Sequence, residues 1–397
     1  MVPNGWNKKK LGELCYLNPK KPSKPDDGIV SFIAMQQLSE SGKVISTDSR
    51  SYDDVSKGFT SFVDKDVLVA KITPCFENGK GALVDNLANG IGFGSTEFHV
   101  LRAKKGTHPE YIYYLTRTKE LRVRGEMNMQ GSAGHRRVTA DYFNAYKVLT
   151  PPLPEQRKIA QILSTWDRGI AITEKLIDAS KQQKKALIQQ LLTGKKRFKD
   201  QSGNEFPKWI NEPIGKYLAS YKELVPANTE IPVLTSSRTG LYIQERSVIN
   251  EGDYGVLPLG YFTYRHMSDD LIFKFNVNRT WKRGAVSKEY PVFKTVGLDS
   301  RFLESQLNEG NDFKRFAVQQ KQGGTRTRLY FKNLKELKLN LPCLDEQQKI
   351  ASVLTAADKE IELLEAKLAH LKQEKKALMQ QLLTGKRRVK VPDTEVA

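Results

Sequence analysis

The sequence predicts an α+β protein with an internal pseudo-twofold repeat. Two globular mixed α/β domains are expected, separated by an antiparallel two-helix coiled coil. Three observations carry this reading. The stretch from Glu155 to Lys199 returns without gaps as Glu346 to Lys390, with 24 of 45 positions identical. The second copy has a sustained heptad pattern, and the regions before the two copies share a texture of short apolar runs and glycine-rich turns.

A repeat of this length fixes the number of structural units before any motif is read. The densest part of it is KKALIQQLLTGKKR at Lys184–Arg197 against KKALMQQLLTGKRR at Lys375–Arg388. A weaker echo extends outward. Trp6 with Leu11-Gly12 answers to Trp209 with Ile214-Gly215, and Val148-x-x-Pro151 answers to Leu339-x-x-Pro342. The expected order is a domain over 1–150, a long helix in 151–199, a second domain over 200–341, a second long helix in 342–390, and a tail over 391–397.

Residues 1–150 contain strand-like runs at Asp66–Ile72 and Phe98–Arg102, with a helix expected near Pro109–Arg122. Residues 200–341 have the same character, with a strand expected at Asp270–Phe275 and a helix at Arg301–Leu307. In the second repeat copy, Ile350, Ala357, Leu364, Leu371 and Leu378 form one seam series. Leu354, Ile361, Leu368, Lys375 and Leu382 form the other. Nine of these ten residues are apolar, which is the 3-4 spacing of a coiled-coil seam.

Prolines at 151, 152 and 154 suit a helix entrance, and Glu155 and Glu346 fall in a first turn where the helix dipole favours negative charge. Gly194 and Gly385 sit where a left-handed C-cap belongs. A twofold relation between the halves makes the helices antiparallel, with one domain near each end of the pair. The seam lysines Lys184 and Lys375 are then expected to meet Asp358 and Asp167, respectively, across it.

The net charge is +19, and each of the four large segments holds more Lys and Arg than Asp and Glu. A polyanion touching the whole molecule fits this distribution better than one small-molecule pocket, and nucleic acid is the obvious candidate; the partner expected is double-stranded DNA. The candidate contacts are loops that mix glycine, amide, hydroxyl and basic residues. In the first domain they are Thr73, Asn78 and Lys80, then Gln130, Ser132, His135, Arg136 and Arg137. In the second they are Ser236, Arg238, Tyr264, Arg265, Arg279, Lys282, Gln322, Thr325, Arg326 and Arg328. The helix exits add Lys195, Lys196, Arg197, Lys386, Arg387 and Arg388. The alternative for each is a solvated surface loop. Asp53-Asp54 and Asp269-Asp270 read most simply as exposed turns.

Catalytic patterns are missing. Thr150-Pro-Pro-Leu153 lacks both the amide and the aromatic ring of a DNA-methylating motif, and no glycine-rich loop ends in Lys-Ser/Thr. The five histidines show no metal-ligand spacing, and the three cysteines are far apart, as expected of reduced thiols. No metal, cofactor or catalytic site is expected on this chain. With no apolar run near 18 residues, a soluble cytoplasmic protein without membrane contact is expected.

The tags PPLPEQRKIAQIL at Pro151–Leu163 and PCLDEQQKIASVL at Pro342–Leu354, each followed by Leu-Leu-Thr-Gly-Lys, closely resemble those of the specificity subunit of Type I restriction-modification enzymes. The resemblance covers essentially the whole chain. Cys343 and Asp345 make the second entrance less regular, although Glu346-Gln347 survives. The resemblance implies two target recognition domains, each reading half of a split DNA target, with the helices as spacer and docking surface. It also implies two modification subunits bringing S-adenosylmethionine, and two restriction subunits using ATP and Mg. The rival readings are an enzyme in its own right and a stand-alone DNA-binding or scaffold protein without restriction partners.

Overall fold

The computed structural model describes residues 2–132, 134–245, 252–321 and 326–391. The chain forms two compact units. The first is Met1–Thr173 with Lys367–Ala397, and the second is Glu174–Ala366. Each unit combines a mixed α/β body with part of both long helices, so the division falls inside the helices rather than at their ends.

In the first unit, Cys15–Leu17, Phe98–Ala103, Val67–Ala70 and Gly81–Leu83 form an antiparallel sheet in that order. A second sheet runs Asp48–Ser51, Ile29–Ile33, Ile91–Gly94, Thr60–Val63, and its central pair is parallel. Val67–Ala70 is buried at every position because its alternating side chains feed two cores. Val67 and Val69 pack with Tyr111, Ile112 and Leu121, whereas Leu68 packs with Ile33, Phe62, Phe98 and Val100. The helix expected near Pro109–Arg122 is two helices, Pro109–Thr116 and Lys119–Met127. The break comes at Thr118, which is extended and begins the second helix.

In the second unit, Leu218–Tyr221, Val292–Thr295, Phe262–Tyr264 and Phe275–Val277 make one sheet, and Leu224–Val225, Tyr254–Pro258 and Arg283–Ser287 another. The helix Ser300–Glu309 begins where the Asp299 side chain accepts from the Phe302 amide at 2.8 Å. The strand expected at Asp270–Phe275 exists only as Phe275–Val277. Asp270 Oδ1 accepts from the Ile272 amide and Leu271 has φ +65°, so a side-chain-closed turn replaces the start of the strand.

Both long helices have 39 residues, Leu153–Leu191 and Leu344–Leu382. Their entrances explain the repeated Glu-Gln. Gln156 donates to the Pro151 carbonyl and accepts from the His108 amide, and Gln347 donates to the Pro342 carbonyl and accepts from the Asp299 amide. Each glutamine therefore stitches the helix start to a helix of its own unit's α/β body. Their exits explain the repeated Leu-Leu-Thr-Gly-Lys. The leucines are buried, and Thr193 and Thr384 donate back to carbonyls of the last turn. Gly194 (φ +70°) and Gly385 (φ +68°) reverse the backbone so that the Lys196 and Arg387 amides reach the Gln190 and Gln381 carbonyls.

The reversal aims the next basic residue at a buried carboxylate. In the first unit Arg388 donates to both Glu155 oxygens, at 2.7 and 2.8 Å, while Trp6 Nε1 donates to Oε2 at 3.0 Å. In the second Arg197 donates to both Glu346 oxygens, at 3.1 and 2.6 Å, with Trp209 Nε1 at 2.9 Å. The tryptophans are delivered by two-stranded ribbons, Asn7–Lys10 with Lys147–Thr150 and Ile210–Pro213 with Lys338–Leu341. The faint Trp and Val/Leu-x-x-Pro echo in the sequence is this ribbon.

Within each unit the helix segments run antiparallel. Glu155 meets Arg388 and Asp167 meets Lys375 in the first; Lys184 meets Asp358 and Arg197 meets Glu346 in the second. The two expected seam pairs form at 2.6 and 2.8 Å. Asp167 also accepts from Tyr114 Oη at 2.8 Å, and Lys184 also reaches Glu309 at 3.2 Å. Burial alone would drive the Lys184 ammonium toward neutrality, but Asp358 and Glu309 together hold its pKa above the ordinary lysine value.

Removing Arg197 or Arg388 leaves a carboxylate buried without its cation. Arg197→Ala and Arg388→Ala should each lower the unfolding free energy by about 2–4 kcal/mol, the upper range for broken buried pairs discounted for the partly exposed arginine. Lys195→Ala should cost less than about 0.5 kcal/mol. Urea unfolding followed by circular dichroism separates these values.

A second expectation concerns acid. His99 is buried, and its Nε2 donates to the Val138 carbonyl at 2.9 Å while Nδ1 accepts from Asn18 Nδ2 at 3.2 Å. Burial, with lesser effects from its neighbours, holds its pKa below the ordinary histidine value. The unfolded chain thus binds a proton that the folded chain refuses, so this contribution is complete above about pH 6.5 and is lost as pH falls below it. Unfolding midpoints measured across that range should fall with acid, and His99→Gln should flatten the slope. His108, whose pKa burial also lowers, leaves a residual slope of the same sign.

Candidate nucleic-acid interface

In the first unit the structure brings the two candidate tracts together. The segment Lys71–Thr73 lies against the second strand of the hairpin Met129–Gln130/Arg137–Val138. The Val138 amide donates to the Lys71 carbonyl, the Thr73 amide donates to the Arg136 carbonyl, and a bridge joins Ile72 to Arg137. Gln130, Ser132, His135 and Arg137 are exposed around this platform. Thr73 Oγ1 donates to Glu77, and Arg136 lies 3.9 Å from the same carboxylate.

Arg137 forms a two-point pair with Glu97, Nε to Oε2 at 2.9 Å and Nη2 to Oε1 at 2.8 Å, and its Nη1 donates to the His135 carbonyl. The Arg137 guanidinium holds the Glu97 carboxyl below the usual carboxylate range. Asn78 and Lys80 are engaged elsewhere, Asn78 with Glu40 and Lys80 with the Met35 carbonyl. Beneath the loop, buried Arg122 donates to the Phe76 and Thr116 carbonyls, which fixes the loop's base.

In the second unit the acidic turn at Asp269-Asp270 has more structure than a solvated turn. Asp270 pairs with Arg238, from the tip of the hairpin Leu234–Ser237/Gly240–Ile243, at 2.6 Å. Asp269 pairs with Arg326 at 3.0 Å. One turn thus gathers arginines from two distant segments. The 191-residue offset between the repeat copies carries Arg137 onto Arg328, yet the acid-paired arginine here is Arg326, while Arg328 is exposed with its backbone paired to Met267. Arg279 pairs with Glu304 on the helix Ser300–Glu309, and Arg265 and Lys282 are exposed. Gln322 and Thr325 lie outside the described residues.

Four candidates take other roles. Tyr264 is wholly buried in the aromatic core with its hydroxyl donating to the Leu329 carbonyl, so its side chain is not surface. Ser236 is buried and accepts from Asn276 Nδ2 at 2.8 Å. Arg197 and Arg388 hold Glu346 and Glu155, because the glycine reversal turns them back onto the helix pair. By contrast Lys195, Lys196, Lys386 and Arg387 are exposed and form no ion pair among the described residues. Sequence reasoning missed Glu97, Asp269 and Asp270. An acid next to a basic tract in sequence would have been a signal, but Glu97 is forty positions from its partner.

Among the described residues no group of three or more His, Cys, Asp or Glu is placed to hold a metal ion, and no helix is long and apolar enough to cross a membrane.

Comparison with known proteins bears on what this surface is for. The family model described as the Type I restriction modification DNA specificity domain matches residues 3–182 and 293–373, more than half of the chain. The specificity subunit of the Type I restriction enzyme EcoAI of Escherichia coli is 36% identical over 173 residues, 42% of this chain and 29% of that protein. The EcoEI subunit of the same organism is 34% identical over 177 residues, 44% of this chain and 29% of that protein. These matches therefore span less than a third of either relative. The MjaVIII specificity subunit of Methanocaldococcus jannaschii is 24% identical over 424 residues, covering 98% of this chain and 94% of that one. Two solved structures share the fold. They are the HsdS subunit from Thermoanaerobacter tengcongensis (TM-score 0.51, 16% identity, 97% and 98% coverage) and the S subunit of the Type-I system from M. genitalium (0.58, 13%, 96% and 98%). The chain belongs to the family of Type I restriction modification DNA specificity domains.

Proposed function

We propose that this chain is the DNA-recognising, non-catalytic subunit of a Type I restriction-modification complex. Each α/β body reads one half-site of a split target, and the helices serve as spacer and as docking surface for two modification and two restriction subunits. The observation that carries this reading is the duplication of a complete device. Each unit has its own clamped helix pair, its own acid-paired arginines and its own unpaired basic helix exit. Two equivalent reading bodies in one chain fit a target of two elements with unread bases between them. On this proposal, S-adenosylmethionine, ATP and Mg belong to the partner subunits.

The test is a shift assay with the chain assembled with its modification subunits, on DNA carrying that system's methylation sites and on unrelated DNA. Sequence-selective, salt-dependent binding is expected. The chain alone should neither methylate nor cut; if it does, the non-catalytic assignment fails. Because phosphate contacts carry no base information, Lys195→Gln and Lys196→Gln, or Lys386→Gln and Arg387→Gln, should weaken binding to all sequences alike. Each lost contact should reduce the slope of log affinity against log salt by about 1.

Spacing has its own test. The chain passes between its two units only inside the long helices, after Thr173 and after Ala366. Matched insertions of four residues at both points add about 6 Å of helix, which approaches two base pairs of duplex. Methylation mapping should then find both half-site sequences kept and the gap one or two base pairs longer. An unchanged gap with new bases would remove the spacer role.

A further inference from the structure

We propose that Arg137 reads a guanine edge in the first half-site, and that Glu97 is the positioning residue that presets its guanidinium for a base rather than for a phosphate. This rests on the DNA-reading function proposed above and assigns one of its specificity contacts.

An arginine has five N–H groups in a rigid planar fork. Three of those on Arg137 are engaged, two by Glu97 and one by the His135 carbonyl, which leaves two for a ligand. Two N–H groups of one guanidinium are what the paired O6 and N7 acceptors of guanine accept in the major groove.

Both partners are also fixed from below. The Lys71 amide donates to the Glu97 carbonyl at 2.9 Å, and the Lys71 carbonyl accepts from the Val138 amide at 2.9 Å. His99 holds the Val138 carbonyl from the other side. Glu97 and Arg137 thus hang from one short piece of backbone, so ordering entropy that a free arginine would lose on binding has been lost on folding.

Electrostatics then selects the ligand. Although Lys71 lies near enough to act on Glu97, the Arg137–Glu97 pair is neutral in itself, and the repulsion of a phosphate by the Glu97 carboxylate leaves it a weaker anion site than an unpaired arginine. A guanine edge is uncharged and offers acceptors without that repulsion. Arg238 with Asp270 and Arg326 with Asp269 are also acid-held in the second unit, each through one hydrogen bond rather than two. The unpaired Lys195, Lys196, Lys386 and Arg387 have the opposite form, suited to phosphates.

The experiment is selection from a pool of random duplexes by the chain assembled with its modification subunits, read by sequencing. Wild type is compared with Arg137→Lys, Glu97→Gln and the double variant, each with its thermal midpoint recorded. Arg137→Lys keeps the charge and removes the fork, so the preference for guanine at one position of one half-site should fall roughly 10- to 100-fold. Binding to unrelated DNA should stay within about twofold. Glu97→Gln should lower the same preference partially and raise binding to unrelated DNA, because the released arginine gains phosphates. In the double variant Glu97→Gln should add nothing to Arg137→Lys. The proposal is overturned if Arg137→Lys weakens all sequences equally with base preferences intact, which marks a phosphate contact. It is also overturned if neither variant alters any preference, which marks a structural pair, or if the altered position is not guanine. A wild-type complex that selects no sequence would instead refute the DNA-reading function itself.

Discussion

Each unit is organised around one buried carboxylate at the entrance of a long helix. Glu155 and Glu346 are almost fully removed from water, which costs several kcal/mol unless the charge is met. It is met by a two-point arginine and an indole N–H, a full complement of charge-assisted donors. Three parts of the chain must therefore converge before the carboxylate can be buried: the helix entrance, the segment beyond the other helix's glycine cap, and the ribbon that carries the tryptophan. This requirement accounts for why the entrance and exit motifs are the best-kept parts of the repeat. The same convergence sets the helix register, which the seam lysines reinforce by pairing with Asp358 and Asp167 on the opposite helix.

A strongly basic chain need not use its basic residues alike. In the helix exits the lysines are solvent-facing and unpaired, which gives a field that attracts any polyanion. On the loops Arg137, Arg238 and Arg326 are tied to acids, and the field they offer is short-ranged and directional. The excess of Lys and Arg over Asp and Glu thus conceals two electrostatic designs. The acids that enforce the second design lower the net charge and take up some of the arginine donors, leaving the remaining N–H groups for directional hydrogen bonding.

The helices, their heptad seam, their caps and the pairing of Lys375 with Asp167 and Lys184 with Asp358 were legible because each follows from local spacing plus one symmetry argument. The strand at Val67–Ala70 was legible for a similar reason, as an unbroken apolar run covered on both faces. The candidate interface was legible only as a set of loops. Tyr264 and Arg279 both lie in tracts that mix aromatic and basic residues, yet one is core and the other is paired on the surface. Composition cannot tell that a strand of only three residues, Phe262–Tyr264, is buried on both faces.

By itself, the sequence determined the repeat, the long helices, their antiparallel register and the basic character, because all of these are written in periodicity, symmetry and charge. Only the tertiary structure decided which arginines hold the fold and which face outward. Arg197 is turned inward by a single positive-φ glycine three residues before it, although the lysines between them stay in solvent. Glu97 finds Arg137, and Asp269 finds Arg326, across separations of forty and fifty-seven residues. Such pairings depend on where strands and hairpins place two backbones in space. No local propensity encodes that placement, because the energy that fixes it comes from cores the paired residues do not enter.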